Sequence, residues 1–470
     1  MTTQELGNVL IALLMLMLSA NLLGHLFTRM RQPKVVGEIL AGILLGPTLL
    51  GNLAPGFVEN LFGAKGDAKA TLLSFFYTFG MLMLMFVAGA TAKHLLGKEN
   101  RRATGIILGI GTTLPFVLAL VVAPMLPLHR FVGVAGSEDA LILVFAAAAA
   151  VTSIPVITKI FADLGILHTR FASLQLGSAV LEDIGLWGVL SIASAIAAQN
   201  LSETSGELGS SIGEHVLING IFVAVALFVM PAVLRKASRA RWNVVAQRSP
   251  VAWMLAVFLG YIGLASAIGV TTAFAALLAG YGIMGGMKST EQAYFAAPMQ
   301  SITDMAHVFF IPVYFALIGF RLDLAQTLDP IMLAAFMLGT SAAVFLCVGA
   351  AGKLAGFNRL DVINLAITQN ARGGPGIVMA TVTFEAGIIN VEFFTTLILT
   401  AVLTSQACGF WLDHVLRKGW PLLSGDDLRK RGIEPELHEE LPRPTTELVG
   451  VAARPNGNGH TAAQSPELRH

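Results

Sequence analysis

The stretch Asn370-Ala371-Arg372-Gly373-Gly374-Pro375-Gly376 interrupts a long apolar run, and no other part of the sequence says more about the fold. A proline removes a backbone hydrogen-bond donor and obstructs the helical bond behind it. Three glycines stand close to this proline. The run is therefore predicted to form a helix that is broken at Gly373, Gly374 and Pro375.

The chain on both sides of this stretch is apolar. Of its 470 residues, 55% are hydrophobic and 13% are charged, whereas a water-soluble domain has roughly a quarter of its residues charged. A spanning helix needs about 20 apolar residues. The candidate spans are Asn8–Phe27, Val35–Leu50, Thr71–His94, Thr104–Met125, Ala140–Ile160, Phe171–Ala197, Glu214–Leu234, Pro250–Ile268, Thr271–Met287, Ile302–Phe320, Ile331–Gly352, Asp361–Thr383 and Glu392–Leu416. The sequence thus predicts an all-α membrane protein with about 13 transmembrane helices.

A second span carries a matching interruption, Ala150-Val151-Thr152-Ser153-Ile154-Pro155-Val156. The two interrupted spans are the fifth and the twelfth, so they cross the membrane in opposite directions, as an inverted repeat requires. Ordinary proline kinks are common in membrane helices. Two broken helices in corresponding halves of a transporter, however, are the best sequence indication of its binding site. We therefore predict inverted repeats with two broken crossing helices, the first broken at Pro155.

The loop charges indicate how the chain is oriented. Cytoplasmic loops are rich in Lys and Arg. The loops after spans one, three and seven are basic, and the loops between them are poor in positive charge. The basic loop residues are Arg29, Arg31, Lys34, Lys98, Arg101, Arg102, Arg235, Lys236, Arg239, Arg241 and Arg248. We expect a multi-pass protein of the cell membrane, plasma or inner, with its N-terminus outside and its C-terminus in the cytoplasm.

The last part of the chain differs in composition from the rest. After Trp420 the sequence is rich in Pro, Gly and charged residues and poor in apolar ones, and such a segment cannot bury enough surface to fold. Residues 1–420 are thus predicted to form the transmembrane domain and residues 421–470 a disordered cytoplasmic tail. A formal net charge of +1 gives no indication of nucleic-acid binding.

The sixth span contains two adjacent carboxylates, Glu182 and Asp183, within the stretch 178–187. Charged groups in the membrane are costly, so an intramembrane carboxylate is a functional hypothesis by default. Desolvation and a like-charged neighbour both favour the protonated form of a carboxylate. A cation and a proton can then compete for it near physiological pH. The alternative is a structural acid pair neutralised by a basic partner.

Polar residues at the two breaks are the other candidates for the site. Thr152 and Ser153 place hydroxyl groups at the first break, where they either bind a cation or cap freed backbone groups. Arg372 is a positive charge at the second break. It is expected to balance the carbonyl ends of half-helices or to pair with an acid.

Several ordered motifs resemble the monovalent cation:proton antiporter superfamily, in the branch of the Kef-type and CHX-type exchangers. The similarity covers about four-fifths of the chain. The matching residues are those from Gln32 to Pro47, Thr152 to Pro155, Ala162 to Leu167, Glu182-Asp183, Ala279-Gly280, Ile311 to Phe315 and Asn370 to Gly373.

The resemblance implies a homodimer in which a core domain moves against a dimerisation domain. It also implies that Asp183 binds the ion, and that Asn370 and Arg372 occupy the Asn-x-Arg-Gly motif and compensate charge at the break. This sequence has Glu182 where the first acid is often Asp or a neutral residue. It has Val344 where many members carry Lys.

The leading hypothesis is a secondary transporter that exchanges Na⁺ or K⁺ for H⁺ across the lipid bilayer. An organic-anion symporter of similar architecture is an alternative, but it should have more Asn, Gln and Ser in its core than this sequence offers. A non-transporting receptor or scaffold has no need of paired acids beside paired breaks. Neither a catalytic set, a cofactor motif nor a metal-binding cluster is visible, so we expect no enzyme, no cofactor and no metal beyond the transported cation.

Overall fold

The computed structural model describes residues 2–30, 32–64, 66–92, 105–167, 169–205, 212–285 and 289–424, and the rest of the chain is not considered below. Regular structure in these residues is helical, apart from one isolated bridge between Val132 and Ile389. Eight helical segments are long and apolar enough to cross a membrane, and three shorter apolar helices accompany them. The predicted all-α membrane fold is confirmed.

Twenty α-helices are defined in the described residues. They are α1 (Thr3–Arg29), α2 (Lys34–Leu45), α3 (Pro55–Phe62), α4 (Ala68–Ala92), α5 (Thr113–Val122), α6 (Glu138–Ala150), α7 (Ile154–Asp163), α8 (Arg170–Ser205), α9 (Ile212–Ala224), α10 (Met230–Arg239), α11 (Val244–Arg248), α12 (Pro250–Ala267), α13 (Thr272–Gly285), α14 (Ser289–Met305), α15 (Ile311–Arg321), α16 (Leu324–Thr327), α17 (Pro330–Leu354), α18 (Arg359–Gln369), α19 (Gly373–Glu385) and α20 (Val391–Arg417). Short π-helical segments cover Pro47–Gly51, Ile107–Thr112, Val225–Val229 and Ala306–Phe310.

Each of the thirteen predicted spans coincides with a helix or with consecutive helical segments in these residues. Spans five and twelve are the two broken ones: α6 and α7 are separated at residues 151–153, and α18 and α19 at residues 370–372. The sequence did not predict the short helices α3, α11 and α16. They lie between spans, where their length of eight residues or fewer gives no detectable periodicity.

The helices pack as two groups. In one group α2 packs on α1 and α15, and α13 packs on α4 and α12. In the other, α17 packs on α18 and α20, α19 packs on α7 and α20, and α8 packs on α6 and α18. The two broken helices both belong to the second group, so the site that they form lies within one group of helices.

Glycines let the helices of the first group approach closely. A Cβ atom on Gly42 of α2 would lie 1.8 Å from the carbonyl oxygen of Ala316, and one on Gly319 of α15 would lie 2.0 Å from that of Ile39. Gly89 of α4 and Gly280 of α13 form a second reciprocal pair, with corresponding distances of 1.9 and 2.0 Å. Close backbone approach through small residues is typical of helix packing in membranes.

Replacing Gly42 by Ala should therefore destabilise the protein strongly. A methyl group cannot occupy that position unless α2 and α15 separate, and overpacking of this kind costs about 1–3 kcal/mol or more. The thermal midpoint of the purified variant measures the loss. Gly7→Ala is the matched control, because nothing lies within 4 Å of its added Cβ atom. A Gly42→Ala protein as stable as the control would contradict the close approach.

The C-terminal end of the helical domain folds back on the second group. The side chains of Leu422 and Leu423 are fully buried. Ser424 donates a backbone hydrogen bond of 2.8 Å to Asp361, which is also fully buried. Asn364 donates to the carbonyl oxygen of Leu422 at 3.0 Å. Packed structure thus extends four residues beyond the predicted boundary at residue 420, and the remaining tail, 425–470, lies outside the described residues.

Candidate functional site

The two helix breaks meet inside the protein. The backbone N–H of Ser153 donates a hydrogen bond of 2.7 Å to the carbonyl oxygen of Ala371, which joins the first break directly to the second. The hydroxyl of Thr152 donates to the carbonyl oxygen of Gln369, also at 2.7 Å. All four residues are buried. The predicted pair of broken helices thus forms one compact crossing.

Local sequence explains where each half-helix begins. Pro155 and Pro375 occupy the first turns of α7 and α19, where the missing N–H would have no partner within the helix. The hydroxyl of Ser153 accepts a hydrogen bond of 3.3 Å from the N–H of Val156 and so caps α7. The N–H of Gly373 donates to the hydroxyl of Ser405 at 3.0 Å. A side-chain hydroxyl thus caps one backbone N–H group at the start of each half-helix.

Gly373 and Gly374 differ in what they contribute. A Cβ atom on Gly373 would lie 2.4 Å from Cγ2 of Val156 and 2.6 Å from Oγ of Ser153, and its φ is +31°. No other residue fits there without moving the first break. At Gly374 the nearest atom to an added Cβ is 3.8 Å away, so the crossing does not require this glycine.

The carboxylate of Glu182 lies beside the crossing and is buried. Its Oε2 accepts a hydrogen bond of 3.0 Å from the hydroxyl of Thr112 and one of 3.5 Å from Nε2 of Gln369. Thr152 also interacts with this carboxylate. The other oxygen, Oε1, accepts no hydrogen bond from the described residues. One oxygen is therefore held in place, and the other is left open at the crossing.

Asp183 follows Glu182 on α8. Its side chain lies outside what the structure describes. Successive residues of an α-helix point about 100° apart, because a turn contains 3.6 residues. No contact of the Asp183 side chain is described, so the role predicted for this residue rests on its position in the sequence.

Arg372 is buried at the second break and has no acidic partner among the described residues. Its Nη2 donates to the hydroxyl of Thr340 at 2.6 Å and to the carbonyl oxygen of Ala149 at 3.5 Å. Ala149 belongs to the last turn of α6, whose carbonyl groups carry partial negative charge. This contact fits the first of the two predicted arrangements, balance of a helix end.

Asn370 extends this arrangement toward α17. Its Oδ1 accepts from Nη2 of Arg372 at 3.3 Å, and its Nδ2 donates to the hydroxyl of Ser341 at 2.8 Å. Val344, which stands at the position where the resemblance places Lys, is buried on the same helix. No lysine therefore enters the site from that position.

Two residues of the site were missed in the sequence: Thr112 and Gln369. Gln369 directly precedes Asn370 in the break motif, and Thr112 is a polar residue in an apolar span, but neither signal is specific.

The expectation of a core with few polar groups was also too strict. Buried hydroxyl side chains are frequent on α20, but Thr396, Thr404 and Ser405 donate to carbonyl groups of their own helix. These groups therefore do not line a wide polar cavity.

The arrangement can hold a small cation or a proton. A buried carboxylate without a basic partner must be neutralised by one or the other, because an isolated charge in a low-dielectric environment is very unfavourable. The described residues contain no group of three or more His, Cys, Asp or Glu side chains that would suit a resident metal ion. A buried carboxylate with one open oxygen is suited to reversible binding of an ion or a proton.

Comparison with known proteins identifies this architecture. Residues 9–418 match the family described as the transmembrane sodium/hydrogen exchanger. The chain is 26% identical to the cation/H⁺ antiporter 18 of Arabidopsis thaliana over 82% of its own length and 46% of the relative's, so it spans about half of that protein. It is 26% identical to the Na⁺/H⁺ antiporter NhaS4 of Synechocystis over 86% of this chain and 96% of the relative.

A solved structure shows the same fold. The sodium proton antiporter MjNhaP1 of Methanocaldococcus jannaschii superposes with a TM-score of 0.57 and 15% sequence identity, over 88% of this chain and 97% of the other. This similarity concerns the fold alone. Because the family match covers nearly the whole helical domain, the chain belongs to the transmembrane sodium/hydrogen exchanger family, whose members are transporters and not enzymes.

Proposed function

We propose that this protein exchanges a monovalent cation, Na⁺ or K⁺, for H⁺ through a carboxylate site at the crossing of its broken helices. The observation that carries the proposal is the buried carboxylate of Glu182, which has one oxygen held by Thr112 and Gln369 and the other without a donor among the residues that the structure describes. A carboxylate in this state needs a positive partner. Family membership supports a proton and a cation as the two alternatives.

In this proposal Asp183 binds the cation and the proton in turn, and Glu182 is its acidic neighbour. The hydroxyl of Thr152 already donates to Gln369, so its oxygen lone pairs remain available to a cation. Ser153 contributes mainly by capping α7. Access alternates between the two sides of the membrane as the group that contains the crossing moves against the group held together by glycines.

Proton flux in vesicles tests the proposal directly. The purified protein is reconstituted with a pH-sensitive dye inside, and NaCl, KCl or choline chloride is added outside. We expect a rapid pH change with Na⁺, K⁺ or both, and none with choline. An equal response to all three salts would contradict cation exchange, and uptake of a bile-acid-type anion with Na⁺ would favour the organic-anion symporter instead.

Arg372→Ala should damage both stability and exchange. The substitution removes the donor that serves Thr340, Ala149 and Asn370 together, and a buried acceptor left without its donor costs about 1–3 kcal/mol. The thermal midpoint and the proton flux of the same preparation measure the two effects. Arg372→Lys, which keeps the charge, should recover part of the stability. A variant with normal melting and normal exchange would contradict the assigned role.

We further propose that the N-terminus lies outside the cell and the C-terminus in the cytoplasm, with the cell membrane as the location. The basic loops after spans one, three and seven support this orientation. A single cysteine introduced at Ser205 should react with a membrane-impermeant maleimide added to intact cells. Labelling of this cysteine only after the cells are broken would place Ser205 in the cytoplasm and show that the proposed orientation is wrong.

The family also leads us to propose a homodimer. A row of leucines on α1, at positions 10, 14, 18 and 22, is half or more exposed in the single chain. Spacing of four residues places them on one face of the helix. This face is available to lipid or to a second subunit, and crosslinking of cysteine variants on it would decide between the two.

A further inference from the structure

The amide oxygen of Gln369 is a buried polar atom without a hydrogen-bond partner among the described residues. Gln369 is the last residue of α18, directly before the second break, and it is 3% exposed. Its Nε2 donates a hydrogen bond of 2.8 Å to the hydroxyl of Thr112 and one of 3.5 Å to Oε2 of Glu182. The nitrogen of this amide is therefore engaged at the site, whereas the oxygen is available to a ligand.

The hydrogen bonds of Thr112 determine which way this amide faces. While Glu182 is ionised, its carboxylate can only accept, so the hydroxyl of Thr112 donates its single proton to Oε2 of Glu182 at 3.0 Å. Thr112 can then only accept from Gln369, and the group of the amide that donates is the NH₂ group. With Nε2 against Thr112, the free Oε1 of Gln369 is directed away from Thr112. The orientation thus follows from the hydrogen-bond network, as glutamine amides require.

Two uncommitted oxygens consequently lie at the crossing, Oε1 of Gln369 and Oε1 of Glu182. The two side chains are neighbours, since Nε2 of Gln369 is 3.5 Å from Oε2 of Glu182. A buried polar atom that makes no hydrogen bond is destabilising. The described residues supply no donor to either oxygen. A cation held near both would satisfy them together.

The carbonyl ends of the two half-helices that precede the breaks are balanced differently. The C-terminal end of a helix carries partial negative charge and attracts cations. At the end of α6, the carbonyl oxygen of Ala149 lies 3.5 Å from Nη2 of Arg372, a resident positive charge. At the end of α18, the carbonyl oxygen of Gln369 accepts from the hydroxyl of Thr152, which is a neutral donor. The end of α18 therefore adds to the attraction for a mobile cation beside Gln369.

We propose that Oε1 of Gln369 is a ligand of the transported cation, beside the acid pair of α8. The inference rests on the proposed exchange function and adds to it a neutral ligand from the second broken helix. Cations of this kind bind oxygen atoms of amides and carbonyl groups as well as those of carboxylates. An amide does not take up the proton that competes for a carboxylate. Gln369 therefore contributes to the affinity and selection of the cation and not to proton binding.

Gln369→Met and Gln369→Glu separate the amide oxygen from the amide nitrogen. Methionine has a similar size and removes both groups, whereas an ionised glutamate keeps an oxygen and removes the donor to Thr112. Gln175→Met is the matched control. Gln175 is also buried, at 2% exposure, and it also contacts α18, because its Nε2 donates to the carbonyl oxygen of Leu365 at 2.8 Å. This control loses a glutamine that holds the same helix but binds backbone and not the site.

The full-length protein and the variants are reconstituted in vesicles, and proton flux is measured at alkaline pH over a range of NaCl and KCl concentrations. Gln369→Met should raise the half-saturating concentration of Na⁺ about tenfold, the effect of one lost contact to a charged group. The increase for K⁺ should be smaller, because electrostatic attraction falls with distance and K⁺ is the larger ion. Gln369→Glu should recover most of the lost affinity. Gln175→Met should keep both half-saturating concentrations, even if its thermal midpoint falls.

Equal losses of affinity in Gln369→Met and Gln369→Glu would overturn the proposal, because the change common to both is the loss of the nitrogen that positions Glu182. Unchanged half-saturating concentrations in Gln369→Met, with an unchanged ratio between Na⁺ and K⁺, would also overturn it. If Gln369→Met does not accumulate, Gln369→Asn takes its place, since it withdraws the same amide by one methylene group and should change affinity and ratio in the same direction.

Cation binding is also measured without transport, as the rise in thermal midpoint when NaCl or KCl replaces choline chloride around the purified protein. The unmodified protein and Gln175→Met should show this rise, and Gln369→Met should lose most of it. A rise of undiminished size in Gln369→Met would contradict the ligand role. Absence of cation-driven flux in the unmodified protein would reject the exchange function and this inference with it, whereas normal exchange with unaltered cation dependence in Gln369→Met would reject this inference alone.

Discussion

Asp183→Asn should abolish cation-driven proton flux and leave the protein folded. The substitution keeps the size of the side chain and removes its negative charge. If one carboxylate binds the cation and the proton in turn, neither half of the exchange cycle survives its loss. Flux in vesicles should fall to the level of protein-free vesicles for Na⁺ and for K⁺, while helix content and thermal midpoint change little. Undiminished exchange by a well-folded variant would exclude the mechanism.

Glu182→Gln provides the matched comparison, since the two residues are neighbours on α8. Gln retains an oxygen that can accept from Thr112 and Gln369, so the hydrogen bonds at the crossing persist. Removing a like charge favours the ionised form of Asp183. Exchange should therefore continue, with the pH of half-maximal activity moved downward. A structural acid pair would instead lose expression and thermal stability in both variants.

Ending the chain after Trp420 should destabilise the protein severely, whereas ending it after Gly425 should not. The shorter form lacks Leu422 and Leu423, which are fully buried, and burial of a leucine side chain contributes about 1.5–3 kcal/mol. It also leaves the buried carboxylate of Asp361 without its donors from Ser424. We expect a loss of about 3–6 kcal/mol, seen as a large fall in thermal midpoint or as failure to accumulate.

Ser424→Ala measures how much of this loss of stability comes from hydrogen bonding and how much from packing. It removes the hydroxyl donor to Asp361 but keeps the backbone donor and both leucines. The loss should be about 1–3 kcal/mol, the cost of a buried acceptor that loses one partner. If both truncations melt like the full chain, the docked segment contributes nothing to stability. If the longer truncation alone loses exchange while it melts normally, the tail regulates transport.

The membrane explains why so much of the fold followed from the sequence. In lipid every backbone polar group must be satisfied within the segment, so long apolar runs can only be helices. Each candidate span corresponds to a described helix for this reason. Segments outside the apolar runs are not constrained in this way. Pro421-Leu422-Leu423-Ser424 was assigned to the tail because the polar composition of the following residues outweighs two leucines.

The site followed from the sequence only in part. Pro155 and Pro375 indicated where the two helices are broken. The energetic cost of a charge in lipid indicated Glu182 as a candidate site residue. The donors to Glu182 were not predictable, since Thr112 is 70 and Gln369 is 187 residues away along the chain. Only the packing of α8 against the crossing brings them together. The partner of Arg372 was left open for the same reason, because Ala149 is 223 residues away.

The hydrogen bond between the N–H of Ser153 and the carbonyl oxygen of Ala371 has a thermodynamic consequence. It fastens the two inverted halves of the site to each other, so the ion-binding groups keep their mutual distances whichever side of the membrane they face. A site of fixed geometry offers the same dissociation constant for a given ion at both surfaces. The sign of the net flux is set by the two ion gradients of the cell in any coupled exchanger, and equal affinity at the two surfaces removes one source of kinetic preference for either direction.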